Sequence, residues 1–192
     1  MKINLDSYIK NSQESYSKLS NKDLQKNIID ASNLCIKAVK NNNKIMLCGN
    51  GGSAADSQHI AGELMSKFLH VRNSIAAIAL TTDTSIITSI SNDFNYETIF
   101  SRLIEGIGQK GDVIFLYSTS GLSPNIINAA KTSQNMGISI ITITGSRQTK
   151  LHEYASISIK SSSSFTPIIQ QDHLCIGHAI CFLIEQAFIT KK

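Results

Sequence analysis

His59 and Glu63 lie four residues apart. On a helix that spacing stacks them on one face. An imidazole and a carboxylate so placed can ligate a metal ion, or one can act as a base beside the other. There is no H-E-x-x-H, and the same pair is also the ordinary form of a surface contact. A second group lies near the C-terminus. There Gln170-Gln171-Asp172-His173 and His178 interrupt a run that is otherwise strongly apolar: Leu174, Ile176, Ile180, Phe182 and Leu183. His178 stands between Gly177 and Ala179 and reads as a core histidine, which would need hydrogen-bond partners.

Two loops could hold an anion. In Gly49-Asn50-Gly51-Gly52-Ser53 the glycines would let the backbone approach a ligand, and a following helix would aim free N–H groups at it. No Gly-Lys-Ser/Thr follows, so it is not a Walker A loop. It lacks the third glycine of a dinucleotide fingerprint, and no acidic residue directly follows the second apolar run. A merely tight turn explains it equally well. Ser118-Thr119-Ser120-Gly121-Leu122-Ser123-Pro124 sets four hydroxyls and a glycine before a helix start. Hydroxyls with backbone N–H groups can bind phosphate without Lys or Arg; an over-capped turn is the plainer explanation.

The elements that must position these groups follow from the apolar pattern. Short apolar runs at 45–48, 75–80, 113–117, 138–143 and, more weakly, 157–159 predict strands. Helix-like segments cover roughly 53–69, 96–107, 124–136 and 167–189, at the spacing of βαβ units. Before them, 5–42 reads as one or two amphipathic helices. Leu24, Ile28, Leu34 or Cys35, Ala38 and Val39 form the apolar stripe, Ser20 with Asp23 marks a start, and Asn41–Asn43 ends it. Ser123-Pro124 and Thr166-Pro167 each read as a capping hydroxyl followed by proline at the first helical position. Ser161–Ser164 reads as a loop. The result is an α/β chain: one doubly wound domain with a parallel sheet, preceded by a helical arm. In such sheets ligands bind beyond the carboxyl ends of the strands, where both loops fall.

Composition excludes several classes. The formal charge is +4. Residues 1–44 carry eight Lys against four acids, while 45–192 carry ten of each sign. The positive excess therefore belongs to the arm, and a broad basic surface for nucleic acid is absent. No apolar run approaches the ~18–20 residues of a membrane span, and MKINLDSYIK lacks the apolar core of a secretory signal. Cys35, Cys48, Cys175 and Cys181 show no C-x-x-C and no finger-like spacing, as expected of reduced buried thiols in a cytoplasmic protein. His70 and His152 have no motif context and read as surface residues.

In combination and order, the strings CGNGGSAADSQHIAGEL, SISNDF, STSGLSP and TPIIQQDHLCIGHAICFLIE closely resemble the bacterial phosphoheptose isomerases of the sugar isomerase (SIS) superfamily. The resemblance runs from about residue 40 to 188 and, more loosely, into the arm. It implies a five-stranded parallel sheet between helices, with residues 1–44 as an oligomerisation arm and 45–192 as the SIS domain. It implies a homotetramer with sites between subunits, and no nucleic-acid or membrane partner. The reaction it implies interconverts sedoheptulose 7-phosphate and D-glycero-D-manno-heptose 7-phosphate, the first step toward ADP- or GDP-heptose for lipopolysaccharide or capsule. Carried over residue by residue, substrate contacts fall on Asn50, Gly51, Gly52, Glu63, Asn92, Asp93, Ser118, Thr119, Ser120, Ser123 and Gln170. His59, Glu63, Gln170 and His178 match the ligands of one Zn2+ per subunit. Glu63 and His178 match the acid/base pair.

Gln170 and His178 are eight residues apart, about 12 Å of helical rise, whereas zinc bonds are about 2.0–2.2 Å. Both side chains must lean inward, the helix must bend, or ligands must come from more than one subunit. The chain departs from the family pattern at Leu122, where Asn is usual, at Ile168, where Arg is usual, and at Gln171, where Glu is usual. These changes leave open an isomerase of another phosphosugar. Two non-catalytic readings also fit the resemblance: a SIS tetramer bridging a protein such as the replication initiator, and a regulatory domain that senses a phosphosugar. Either is free to lose Glu63 or His178, and both residues are present.

Overall fold

The structure is a computed structural model that describes residues 4–189. Five strands, β1 Ile45–Cys48, β2 Ala77–Ala79, β3 Val113–Ser118, β4 Ser139–Thr144 and β5 Ile157–Lys160, form one sheet in the order β2-β1-β3-β4-β5. Every pairing is parallel. Among the described residues seven α-helices surround it: α1 Leu5–Lys18, α2 Lys22–Lys40, α3 Gly52–Met65, α4 Thr84–Asp93, α5 Ile99–Ile107, α6 Pro124–Asn135 and α7 Thr166–Gln186. Single 3-10 turns lie at Tyr96–Thr98 and Lys150–Tyr154. No described helix is long and apolar enough to cross a membrane.

The period-2 alternation of the strands sorts the core into two layers. Ile45, Leu47, Val113, Phe115, Tyr117, Ile141 and Ile143 face α2, α3 and α7. Met46, Cys48, Ile114, Leu116 and Ile140 face α4, α5 and α6. β3 is buried along its whole length, so truncating Phe115 to Ala costs about 3–5 kcal/mol. The arm is not separate in packing. Ile28, Ala31, Cys35 and Ala38 of α2 are buried in the same layer as α7. The lysines of the arm, by contrast, are exposed at 10, 18, 22, 26, 37 and 40.

Several expectations need correction. The helix expected over 53–69 stops at Met65, because Arg72 folds back and its guanidinium donates to the Glu63 and Leu64 carbonyls. α4 was not expected, since its Thr/Ser/Ile composition favours strand. Asp83 nucleates it by accepting from the Ile86 N–H, and Ile90 buries its inner face. The cap of α2 is Asn21, not Ser20, and it accepts from the Asp23 and Leu24 N–H groups. Thr166 is the first residue of α7 and not its cap; Phe165 holds that position with no capping side chain. His152 is not a surface residue. It is 9% exposed, with Nε2 2.9 Å from Thr144 Oγ1 and Nδ1 accepting from the Thr149 N–H. All four cysteines are free, and three are buried.

Candidate active site

The strand order turns around between β1 and β3. In open α/β sheets that switch point opens a crevice beyond the carboxyl ends. The two candidate anion loops flank it. The first ends in Gly51, whose φ of 58° needs glycine, and α3 begins there with no side-chain cap; the Ser53 and Ala54 N–H groups donate to the Asn50 and Gly51 carbonyls of the loop itself. The second is shaped by its own hydroxyls. Ser118 Oγ accepts from the Gly121 N–H at 3.1 Å, Ser120 Oγ accepts from the Leu122 N–H at 3.1 Å, and Ser123 starts α6 without capping it. Ser118 is buried, Thr119 and Ser123 are half-buried, and Ser120 is exposed.

α3 and α7 pack side by side and in step. At their starts, the Gln170 amide lies directly over Gly52, where a Cβ would fall 2.3 Å from Gln170 Nε2. Seven and eight residues further on, His59 and His178 meet, with their Nε2 atoms 2.9 Å apart. Glu63 Oε1 is 3.3 Å from His59 Nε2. One donor atom from each of His59, Glu63 and His178 lies within 4.8 Å of the others. The His59/Glu63 pair is thus joined by the helix-borne histidine it lacked. Gln170 marks the other end of the crevice, at the glycine loop. His178 is half-exposed at this cluster and is not the core histidine expected; that residue is His173, which is fully buried.

The rim of the cluster is held from behind. Phe68 lies 5.6 Å, centroid to centroid, from the His178 ring. Its turn is pinned by Glu185, which accepts from the Phe68, Leu69 and His70 N–H groups at 3.0, 2.9 and 3.1 Å. Burial pushes the Glu185 carboxyl up. Those three N–H groups and Arg72 pull harder, so it stays below its usual range. Asn92 and Asp93 end α4 and are exposed, joined by a 2.9 Å hydrogen bond from Asn92 Nδ2 to Asp93 Oδ1.

Some residues around the site escaped sequence reasoning. Asp56 sits one turn before His59, and burial raises its carboxyl to about 6, opposed by His59. Its i, i+3 relation to His59 was a usable signal. Tyr117 and His173 lie beneath the crevice with rings 5.8 Å apart, and among the described residues neither finds a hydrogen-bond partner for its buried polar atoms. Burial lowers His173 to about 4. Tyr96 and Asn125, both hydrogen-bonded to Asn50, had no signal beyond their motif neighbours.

Residues 7–145 match the SIS domain family. The chain is 46% identical over 158 residues to the phosphoheptose isomerase of Burkholderia pseudomallei, an alignment spanning 82% of this chain and 80% of that one. It is 48% identical over 164 residues to phosphoheptose isomerase 2 of Campylobacter jejuni, spanning 85% and 82%. The fold matches the structure of the phosphoheptose isomerase of Neisseria gonorrhoeae with a TM-score of 0.88 at 33% identity, over 95% of this chain and 97% of that one.

Proposed function

Because this chain belongs to the SIS-domain family, among the phosphoheptose isomerases, we propose that its crevice interconverts sedoheptulose 7-phosphate and D-glycero-D-manno-heptose 7-phosphate. The observation that carries this is the convergence of His59, Glu63 and His178 on α3 and α7, the two helices whose starts meet at Gly52 and Gln170.

Aldose–ketose isomerisation moves a proton between C1 and C2 through an enediol. It needs a base near both carbons and groups that manage the oxygen protons. Glu63, partly buried at 26% exposure of its side chain, carries the carbon-bound proton. His178, braced by Phe68, serves the oxygens. The phosphate rests at the start of α3 and on the hydroxyls of 118–123, with no lysine or arginine among the residues assigned to it. This agrees with the charge balance of zero beyond residue 44. Asn92, Asp93 and Gln170 contact the sugar from the rim.

The donor set also fits a zinc ion: two imidazole nitrogens and one carboxylate oxygen lie within 4.8 Å of one another, with a fourth position left for substrate, since Gln170 lies at the far end over Gly52. When bound, such an ion acts as a Lewis acid toward the sugar carbonyl. A homotetramer is supported by Ile29 and Phe182, which are 49% and 44% exposed in the single chain. The product then enters the making of nucleotide-activated heptose in the cytoplasm. The test is turnover of sedoheptulose 7-phosphate by the wild type and by Glu63→Gln. Aldoheptose from the first and none from the second supports the reading. A Glu63→Gln enzyme at the wild-type rate overturns the assignment.

A further inference from the structure

Asn50 is the node of the crevice. Its Oδ1 accepts from Asn125 Nδ2 at 2.8 Å and from the Tyr96 hydroxyl at 3.0 Å, and its Nδ2 donates to Asn125 Oδ1 at 2.9 Å. Both lone pairs of the carbonyl oxygen and one of the two amide hydrogens are therefore engaged. Asn125 is 2% exposed, so it cannot exchange this pairing for water.

The three residues come from three different segments. Asn50 belongs to the glycine loop after β1. Asn125 is the second residue of α6, after the hydroxyl loop of β3. Tyr96 opens the 3-10 turn just after Asn92 and Asp93. A second tie, from Asn128 Nδ2 to the Glu97 carbonyl at 3.1 Å, runs between the same turn and α6. Every segment assigned to the phosphosugar apart from α7 and the body of α3 thus meets at one amide.

We propose that Asn125 and Tyr96 are positioning residues that act through Asn50, fixing the gap between the two anion-binding loops and the rim that carries Asn92 and Asp93. They do not touch the reacting carbons. The Asn50 side chain keeps one N–H for substrate; its main work is to lock the loops, and the backbone beside it binds the anion. The phosphate end of the sugar is remote from C1 and C2. Its grip is equal in ground and transition states, so loosening the lock raises KM more than it lowers kcat.

The proposal rests on the isomerase reading for its substrate, and its test has an arm that does not. KM and kcat for sedoheptulose 7-phosphate, and the dissociation constant of inorganic phosphate by calorimetry, are measured for the wild type, Tyr96→Phe, Asn125→Ala, Asn50→Ala and the doubles with Asn50→Ala. Tyr96→Phe is expected to raise KM and the phosphate dissociation constant about 3–10-fold, the range of one lost hydrogen bond, and Asn125→Ala, which loses two, about 10–30-fold. In the Asn50→Ala background neither adds a further loss, because the node is already gone. Tyr96→Phe removes one hydroxyl from a residue 55% exposed, so it keeps the test valid if Asn125→Ala does not fold. Wild-type KM and phosphate affinity in Tyr96→Phe, or undiminished losses when either change is added to Asn50→Ala, overturn the proposal. Weakened phosphate binding in the variants of a chain that does not isomerise the sugar upholds the node and refutes the isomerase reading.

Discussion

Gly52→Ala separates the site from the fold. The added Cβ would stand 2.3 Å from Gln170 Nε2 and 2.8 Å from its Cδ, while ordinary contact begins at 3.4 Å. Moving the amide from 2.3 to 3.4 Å displaces it by about 1.1 Å. Gln170 is a flexible, half-buried side chain, and it yields at little expense to stability. The backbone at Gly52 is not left-handed, so alanine also restricts the unfolded chain, a gain of about 0.4–1 kcal/mol. The melting temperature therefore stays within about 4 °C of wild type. Catalysis has no such tolerance: a misplacement of about 1 Å can lower the rate about 10²-fold, or about 2.7 kcal/mol of barrier. The assay is kcat/KM for sedoheptulose 7-phosphate beside a thermal melt. A Gly52→Ala enzyme with wild-type kcat/KM, or one whose loss merely tracks unfolding, would refute the placement of Gln170 in the site.

His173 makes stability pH-dependent. Its folded pKa, about 4, lies below the unfolded 6.5, so the unfolded chain takes up the proton first and stability falls as pH drops from 6.5 toward 4, by about 3 kcal/mol. Asp56, raised to about 6, has the opposite slope over about 3.8 to 6. Urea midpoints at pH 7 and 5 should therefore show a smaller acid loss in His173→Gln than in wild type, and a larger one in Asp56→Asn. Burial pushes the Cys181 thiol up to about 12 and those of Cys35 and Cys48 well above their usual range. An aromatic disulfide reagent should thus titrate at most the half-buried Cys175 in the native chain, and all four thiols after denaturation. Dialysis against a chelator should lower turnover, with recovery on adding zinc. His59→Ala should lower bound zinc, measured by elemental analysis, from about one ion per chain to near none; unchanged zinc in that variant would place the ion elsewhere.

The α/β class, the strands and the loop positions were legible because hydrophobic period and turn residues are local signals. The His59/Glu63 pair was legible for the same reason, being four residues apart on one helix. What was not legible depends on residues distant in sequence. α4 defied its propensities because Asp83 caps it and Ile90 packs. The end of α3 was set by Arg72, outside the helix. Sequence pattern alone could not tell His173 from His178. Both lie on α7; one is buried against Tyr117 of β3, and the packing of α3 brings the other to His59. The ties of Tyr96 and Asn125 to Asn50 span 46 and 75 residues, and nothing local announces them.

Reaction of sedoheptulose 7-phosphate in D2O, followed by NMR, tests the central claim most directly. Proton transfer by Glu63 through an enediol predicts an aldoheptose 7-phosphate carrying solvent deuterium at C2, with neither product nor exchange in Glu63→Gln. No aldoheptose from the wild type, or aldoheptose formed at the wild-type rate by Glu63→Gln, would contradict it.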